Sequence, residues 1–187
     1  DVSLGVSTHG TQNFISWRGS LSHKKNLREY AKEITEIKNE NPDWIFQFFG
    51  LNPEFLEFEY NHYDIAQLFE SFYRLKKFSS KIQIVTLYER PFTLSKSNIA
   101  WIEATIAGSV VLAPDWEEWK KPGIVNYTSK EDFQAKLQKL LSGEYDLTKH
   151  FEESRDYILN NLSLKKVNRD RLRILKRLCV SQSDYRA

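Results

Sequence analysis

At 187 residues, 41% of them hydrophobic, the chain is long enough to bury a substantial core, and its length suits one domain with appendages better than two. A net charge of +2 with 28% charged residues argues against a dedicated nucleic-acid binder, while leaving room for a local basic site that takes phosphates. The single cysteine, Cys179, excludes an internal disulfide framework, and no apolar run approaches the roughly 20 residues that span a membrane.

Asp1 to Thr11 is small, polar and glycine-containing, and reads as an entering linker. Asn13 to Trp17 is a short β-favouring run closed by Arg18-Gly19-Ser20, which predicts a strand and a tight turn. Ser22 is placed to cap a helix whose Leu27, Tyr30, Ala31, Ile34 and Ile37 share one face until Asn41-Pro42 stops it. Trp44 to Phe49 is almost continuously apolar, as expected of a strand covered on both faces. Gly50 to His62 reads as an irregular aromatic and acidic loop. Asp64 to Lys76 then predicts a second amphipathic helix with Ile65, Leu68, Phe69, Phe72 and Leu75 inward.

Lys81 to Leu87 reads as the third strand. In the stretch that follows, Ile99, Ile102 and Ile106 recur at helical spacing, and Ala100, Ala104 and Ala107 fill the flank. Gly108 supplies the stop, and Ser109 to Ala113 reads as a short buried strand. Gly123 to Tyr127 is a fifth strand, and Ser129 with Asp132 forms a capping-box pattern for a helix carrying Phe133, Leu137, Leu140 and Leu141 to Gly143. Asp146 to about Val180 reads as two further helices rich in Arg and Lys, their charges forming a solvated outer face. This alternation predicts a doubly wound, parallel α/β sheet of about five or six strands over residues 12–145, with extra C-terminal helices over 146–187.

In such a sheet the ligand site lies beyond the carboxyl ends of the strands, where strand order reverses. Two loops feed that edge, Arg18 to Lys25 and Glu89 to Ser97. Arg18, with Lys24 or Lys25, offers a fork and a point charge to a diphosphate. Ser95, Lys96 and Ser97 place hydroxyls and a cation at a helix start, where unpaired N–H groups and the helix dipole favour an anion. Glu103, further along the same helix, occupies a face of small and apolar residues and suits neutral hydroxyls such as a ribose diol. His23, beside Arg18, reads either as a phosphate contact or as a cap.

Other chemistries find little support. His9, His23, His62 and His150 lack metal-ligand spacing, and no GxGxxG, Walker A or GxSxG pattern occurs.

The order strand, RGS, SHKKNL, helix near the start, followed by PF(x)3KSNIAWIEATIAGSVVLAP, resembles the C-terminal nucleotide-sugar-binding domain of GT-B fold glycosyltransferases. The likeness is strongest to the retaining group 1 enzymes that include glycogen and mannosyl transferases. It covers most of Asn13 to Gly143 and is most specific around Glu103. The resemblance implies a Rossmann-like donor-binding domain that takes a nucleotide diphosphate sugar and needs neither a protein-bound metal nor another cofactor. Glu103 would hold the ribose hydroxyls, Ser97 and Asn98 would present amides to the diphosphate, and Arg18 with Lys24 would form the catalytic basic pair, beside Gly19. By position, Leu87 and Tyr88 would lie near the base and Asp115 to Glu117 near the sugar.

The sequence departs from the family pattern twice. Where the family commonly carries a first Glu, this chain has Ser95, with Lys96 beside it; and His23, rather than Lys24, stands at the usual spacing from Arg18. The resemblance further implies that an unknown sugar, lipid-linked or protein acceptor is handled by an N-terminal domain outside this sequence, on which the C-terminal helices could pack. With Asp1 at its start and no methionine, the chain reads as a piece of a longer protein, without a signal peptide, expected in the cytoplasm or at the membrane surface through its remainder. The alternative is a degenerate, non-catalytic α/β domain that works through nucleotide or protein contacts.

Overall fold

The computed structural model describes residues 12–64 and 80–183, with side chains through Arg177. The linker reading for residues 1–11 and the helix expected from Asp64 to Lys76 lie outside the described residues, save Asp64 itself, as does the Cys179 side chain. Six strands form one sheet: β1 (Phe14–Gly19), β2 (Ile45–Gly50), β3 (Asn61–Tyr63), β4 (Ile82–Ile84), β5 (Val110–Pro114) and β6 (Val125–Tyr127). Every pairing is parallel and the order is β3-β2-β1-β4-β5-β6. The chain enters at the centre, builds outward to β3, returns to place β4 beside β1, and then builds the other way. Strand order therefore reverses between β1 and β4, as in doubly wound nucleotide-binding folds.

Burial on both sheet faces explains the continuous apolar strands. Ile15, Phe46, Phe48, Ile82, Val110 and Leu112 are fully buried, and all five residues of β5 are buried. On one side β1 is followed by α1 (Lys24–Arg28) and α2 (Ala31–Glu40), not by the single helix that the periodicity from Ser22 to Asn41 predicts. The break falls at Tyr30, whose ring turns inward against Tyr127 and Phe133, with centroids 5.7 and 5.0 Å away, and whose hydroxyl donates to the Leu87 carbonyl. That inward turn is a tertiary contact which helical spacing alone does not reveal.

The region read as a loop from Gly50 to His62 ends in β3, paired with β2 from Gln47↔Asn61 to Phe49↔Tyr63. Its three residues are all half-buried and carry no apolar alternation, so the sequence gives no strand signal there.

After β4, α3 (Pro91–Leu94) is one turn long and begins on a proline, a residue suited to the first helical position. It is followed by α4 (Ile99–Ala107), which ends at Gly108 with φ 102°. That left-handed conformation is one that glycine adopts without strain. Of the isoleucines at helical spacing, Ile99 is 53% exposed and Ile102 and Ile106 are half-buried, whereas Trp101, Ala104, Thr105 and Ala107 are buried. Small residues at positions 104 and 107 let α4 lie close to the sheet, and Trp101 fills the space beside them. The indole Nε1 donates to Ser154 Oγ at 3.0 Å, and that hydroxyl donates to the Pro122 carbonyl at 2.9 Å.

Helix α5 (Lys130–Ser142) starts as the capping pattern predicts, with Ser129 Oγ accepting from the Asp132 N–H at 3.1 Å. The Asp132 carboxylate reaches back to the N–H of Thr128, one residue before the cap. Helices α6 (Leu147–Asn161) and α7 (Leu164–Ser183) complete the described chain. The chain divides into two compact units, residues 1–154 and 155–187. The sheet and its cover lie in the first, and the second is helical.

Candidate functional site

A cavity of about 320 Å³ opens at the carboxyl ends of β1 and β4, where strand order reverses. This is the position that the doubly wound topology reserves for a ligand. From β1 and the following turn come Arg18, Gly19 and His23; from the approach to α4 come Lys96 and Ser97; and Trp119 closes one wall. Three basic side chains thus face one space from two different loops.

Each is positioned by local structure. Gly19 ends β1, and its carbonyl accepts from the Leu51 N–H at 2.8 Å. A Cβ at Gly19 would lie 2.4 Å from the Trp17 ring and 3.0 Å from His23 Cβ, so only glycine lets the chain turn into the cavity without displacing either. Trp17 is held in turn by its Nε1, which donates to Thr86 Oγ1 at 2.9 Å and ties β1 to the loop after β4. The Asn26 amide donates to His23 Nδ1 at 3.2 Å, leaving Nε2 as the donor nitrogen of the neutral ring. Burial, with the Lys96 ammonium nearby, lowers the His23 pKa, so the free site holds a neutral imidazole at pH 7.

Glu103 stands on α4 and forms an ion pair with Arg18. Both side chains keep about a quarter of their exposure, 24% and 23%. The acid that the sequence assigns to hydroxyls and the guanidinium that it assigns to phosphates therefore stand against each other as an ion pair, while Glu103 Oε2 makes no hydrogen bond of regular geometry among the described residues.

At the helix start the Asn98 N–H donates to Glu118 Oε1 at 3.2 Å, and its side-chain amide donates to the Glu118 carbonyl at 3.3 Å. A carboxylate thus already occupies part of the anion-favouring end of α4, as the dipole predicts.

The remaining predicted residues separate. Lys24 is the first residue of α1 and is not among the residues lining the cavity. His23, at the spacing typical of the resembling family, takes the place in the wall. Ser95 does not start α4: it follows α3 and its hydroxyl donates to the Phe92 carbonyl, so the break between α3 and α4 removes it from the cavity. Leu87 lines the cavity and is held by tyrosines, its N–H donating to Tyr127 Oη and its carbonyl accepting from Tyr30.

Tyr88 belongs instead to a second cavity of about 270 Å³, shared with Asp115, Trp116 and Lys130. Its ring carries Arg90 at 4.0 Å and Lys25 at 5.6 Å, a cation–π arrangement that uses both charges.

Trp119 is 2% exposed, lines the first cavity, and its Nε1 has no partner among the described residues. Gln83 also lines this cavity, with its amide donating to the Ala100 carbonyl at 3.3 Å. Neither has a sequence signal beyond lying in or after a strand.

The six-stranded parallel order and the cavity at its reversal define a Rossmann-like domain with the fold of the C-terminal half of GT-B glycosyltransferases. The chain is similar to the crystal structure of the C-terminal domain of LpcC, a glycosyl transferase group 1 family protein from Francisella tularensis. That likeness has a TM-score of 0.55 at 16% identity over 84% of this chain and 89% of that one. It is also similar to a TarM variant from S. aureus solved with UDP, at TM-score 0.65 and 11% identity over 90% of this chain and 37% of that one. The pneumococcal O-GlcNAc transferase GtfA, solved with UDP and GlcNAc, gives TM-score 0.65 at 14% identity over 92% and 38%. The chain thus spans little more than a third of the length of TarM and GtfA. No family model and no curated protein matches the sequence.

Proposed function

We propose that this chain is the donor-binding part of a glycosyltransferase, holding a nucleotide diphosphate sugar in the cavity between β1 and β4. The observation that carries the reading is the convergence of Arg18, His23 and Lys96 on one cavity at the topological switch point, beside the start of α4. Transfer breaks the bond between the anomeric carbon and the diphosphate oxygen, and negative charge builds on the departing diphosphate. Fixed cations and helix-start amides stabilise that charge without reorganising during the step. Arg18 offers two parallel N–H groups to phosphate oxygens, Lys96 a mobile charge and His23 a neutral N–H donor.

For a nucleotide to bind in this way, Arg18 turns from Glu103 to the diphosphate, and the freed carboxylate accepts from the ribose diol. Trp119 Nε1 is a further donor at the wall. The UDP carried by the TarM and GtfA structures supports a nucleoside diphosphate as the ligand class. In this reading the acceptor is bound by an N-terminal domain outside this sequence, and the 187 residues bind donor but do not transfer the sugar alone.

Calorimetric titration with UDP, GDP and ADP tests the proposal and names the base. One of the three is expected to bind. A folded chain that binds none of them favours a non-catalytic interaction domain, a reading supported by the ion pair that already joins Arg18 to Glu103.

A further inference from the structure

The cavity at the reversal of strand order has two unlike walls. Arg18, His23 and Lys96 make one of them basic, whereas the segment 84–87, at the end of β4 and just beyond it, brings no charge to the other. On the reading that a nucleotide diphosphate binds here, the diphosphate takes the basic wall. The uncharged wall is left for the base, a flat ring whose edge carries hydrogen-bonding groups.

Beyond Ile84 that wall is loop rather than strand, so its backbone groups need partners outside β4. The Val85 N–H donates to the Leu112 carbonyl at 2.9 Å. The Tyr127 hydroxyl donates to the Val85 carbonyl at 2.9 Å and accepts from the Leu87 N–H at 3.3 Å, so one oxygen bridges the two residues that flank Thr86. The Tyr30 hydroxyl donates to the Leu87 carbonyl at 3.1 Å. Both backbone groups of Val85 and of Leu87 are thus paired. The N–H and carbonyl of Thr86, which lines the cavity between them, make no hydrogen bond among the described residues. Peptide groups left unpaired beside a cavity are available to a ligand.

Tyr127 itself is 3% exposed and is not among the residues lining this cavity, so it reaches a ligand there only through the loop. Its ring packs edge-on against Tyr30 and Phe133, with centroids 5.7 and 5.2 Å away, which makes its hydroxyl a fixed point. We propose that Tyr127 is a positioning residue for nucleotide recognition. Its hydroxyl splints Val85 to Leu87 and so holds the Thr86 peptide groups where they meet the edge of the base, with Tyr30 assisting at the Leu87 carbonyl. The inference rests on the donor-binding reading of the cavity.

Calorimetric titration of the 187-residue chain with UDP, GDP and ADP, and with inorganic pyrophosphate, which carries no base, tests this. The wild-type chain is expected to bind one nucleotide more tightly than pyrophosphate. Tyr127→Phe keeps the ring and removes only the oxygen. It is expected to weaken that nucleotide about five- to tenfold, the scale of one hydrogen bond, and to leave pyrophosphate within about twofold. Tyr30→Phe leaves the Leu87 N–H paired and serves as the milder variant where Tyr127→Phe does not fold; it is expected to weaken the nucleotide about threefold with the same selectivity. A loss that is equal for nucleotide and pyrophosphate, or an unchanged nucleotide affinity in the folded variant, overturns the proposal, because the hydroxyls then serve stability alone. A wild-type chain that binds pyrophosphate as tightly as any nucleotide overturns it too, while leaving the phosphate site standing. One that binds none of the four overturns the donor-binding reading and this inference together.

Discussion

Arg18, near the end of β1, and Glu103, in the middle of α4, meet as an ion pair at the carboxyl edge of the sheet, although they are far apart in sequence. Both side chains are about a quarter exposed, so solvent screens the pair and its contribution to folding is small, about 0.5–1 kcal/mol. Arg18→Ala and Glu103→Gln are each expected to lower unfolding free energy by no more than that. A double-mutant cycle in urea is expected to give a coupling energy below about 1 kcal/mol. Nucleotide affinity should respond far more strongly to the same substitutions.

Glu118 caps the start of α4 through the Asn98 N–H and thereby competes with any incoming phosphate. Glu118→Gln keeps the shape and removes the charge. The variant is expected to bind a nucleoside diphosphate about two- to fivefold more tightly, a gain of roughly 0.5–1 kcal/mol from the freed dipole. It should lose a similar amount of stability, readable as a lower Tm. Weaker binding would mean that the carboxylate does not compete for the helix start.

His23 titrates below its ordinary value of 6.5 because burial, and then Lys96, disfavour the imidazolium. The folded chain therefore takes up this proton less readily than the unfolded one. The associated stability is complete above pH 6.5 and is lost as pH falls through the folded pKa. His23→Gln is expected to flatten the stability curve in that window. In an NMR titration Lys96→Ala should move the His23 pKa back toward 6.5, and a bound diphosphate should raise it as well. A His23 pKa unchanged by Lys96→Ala would place the two side chains too far apart to share a ligand.

Gly123, just before β6, has φ 76°, and a Cβ there would lie 2.1 Å from the His150 carbonyl and 2.3 Å from Ser154 Oγ. The same hydroxyl holds Trp101 Nε1, so this junction seats α4. Gly123→Ala is expected to cost more than about 2 kcal/mol, because backbone strain adds to a clash with backbone. Ser154→Ala should cost about 1–2 kcal/mol by removing the hydroxyl that joins the Trp101 indole to the Pro122 carbonyl. Urea unfolding measures both, and a Gly123→Ala variant of wild-type stability would show that α6 can move away.

Most of the sheet was legible because its strands are buried on both faces, and continuous apolar runs such as Trp44 to Phe49 announce that. β3 was not, since three half-buried residues carry no period. The existence of α4 was legible from its spacing, but its inward face was not, since Trp101, Ala104 and Thr105 pack closely while Ile99 stays exposed, a choice made by the close approach of helix and sheet rather than by hydrophobicity. In the site, Arg18, Gly19, Lys96, Ser97 and Leu87 reach the cavity from loops whose place the βα order predicts. Lys24 and Ser95 did not, because each depends on where a helix begins to within one or two residues, and helix starts are the least determined feature of a sequence. Trp119 and Gln83 entered from tertiary packing alone.

The most direct test is calorimetric titration of the chain and of Glu103→Ala with the nucleoside diphosphate selected from UDP, GDP and ADP. The account predicts binding by the wild-type chain and a loss of roughly 1.5–3 kcal/mol in the variant, the range for a hydrogen bond to a charged group. Equal affinity of the two proteins, or tighter binding by the variant, would contradict it, for Glu103 would then serve only as the partner of Arg18.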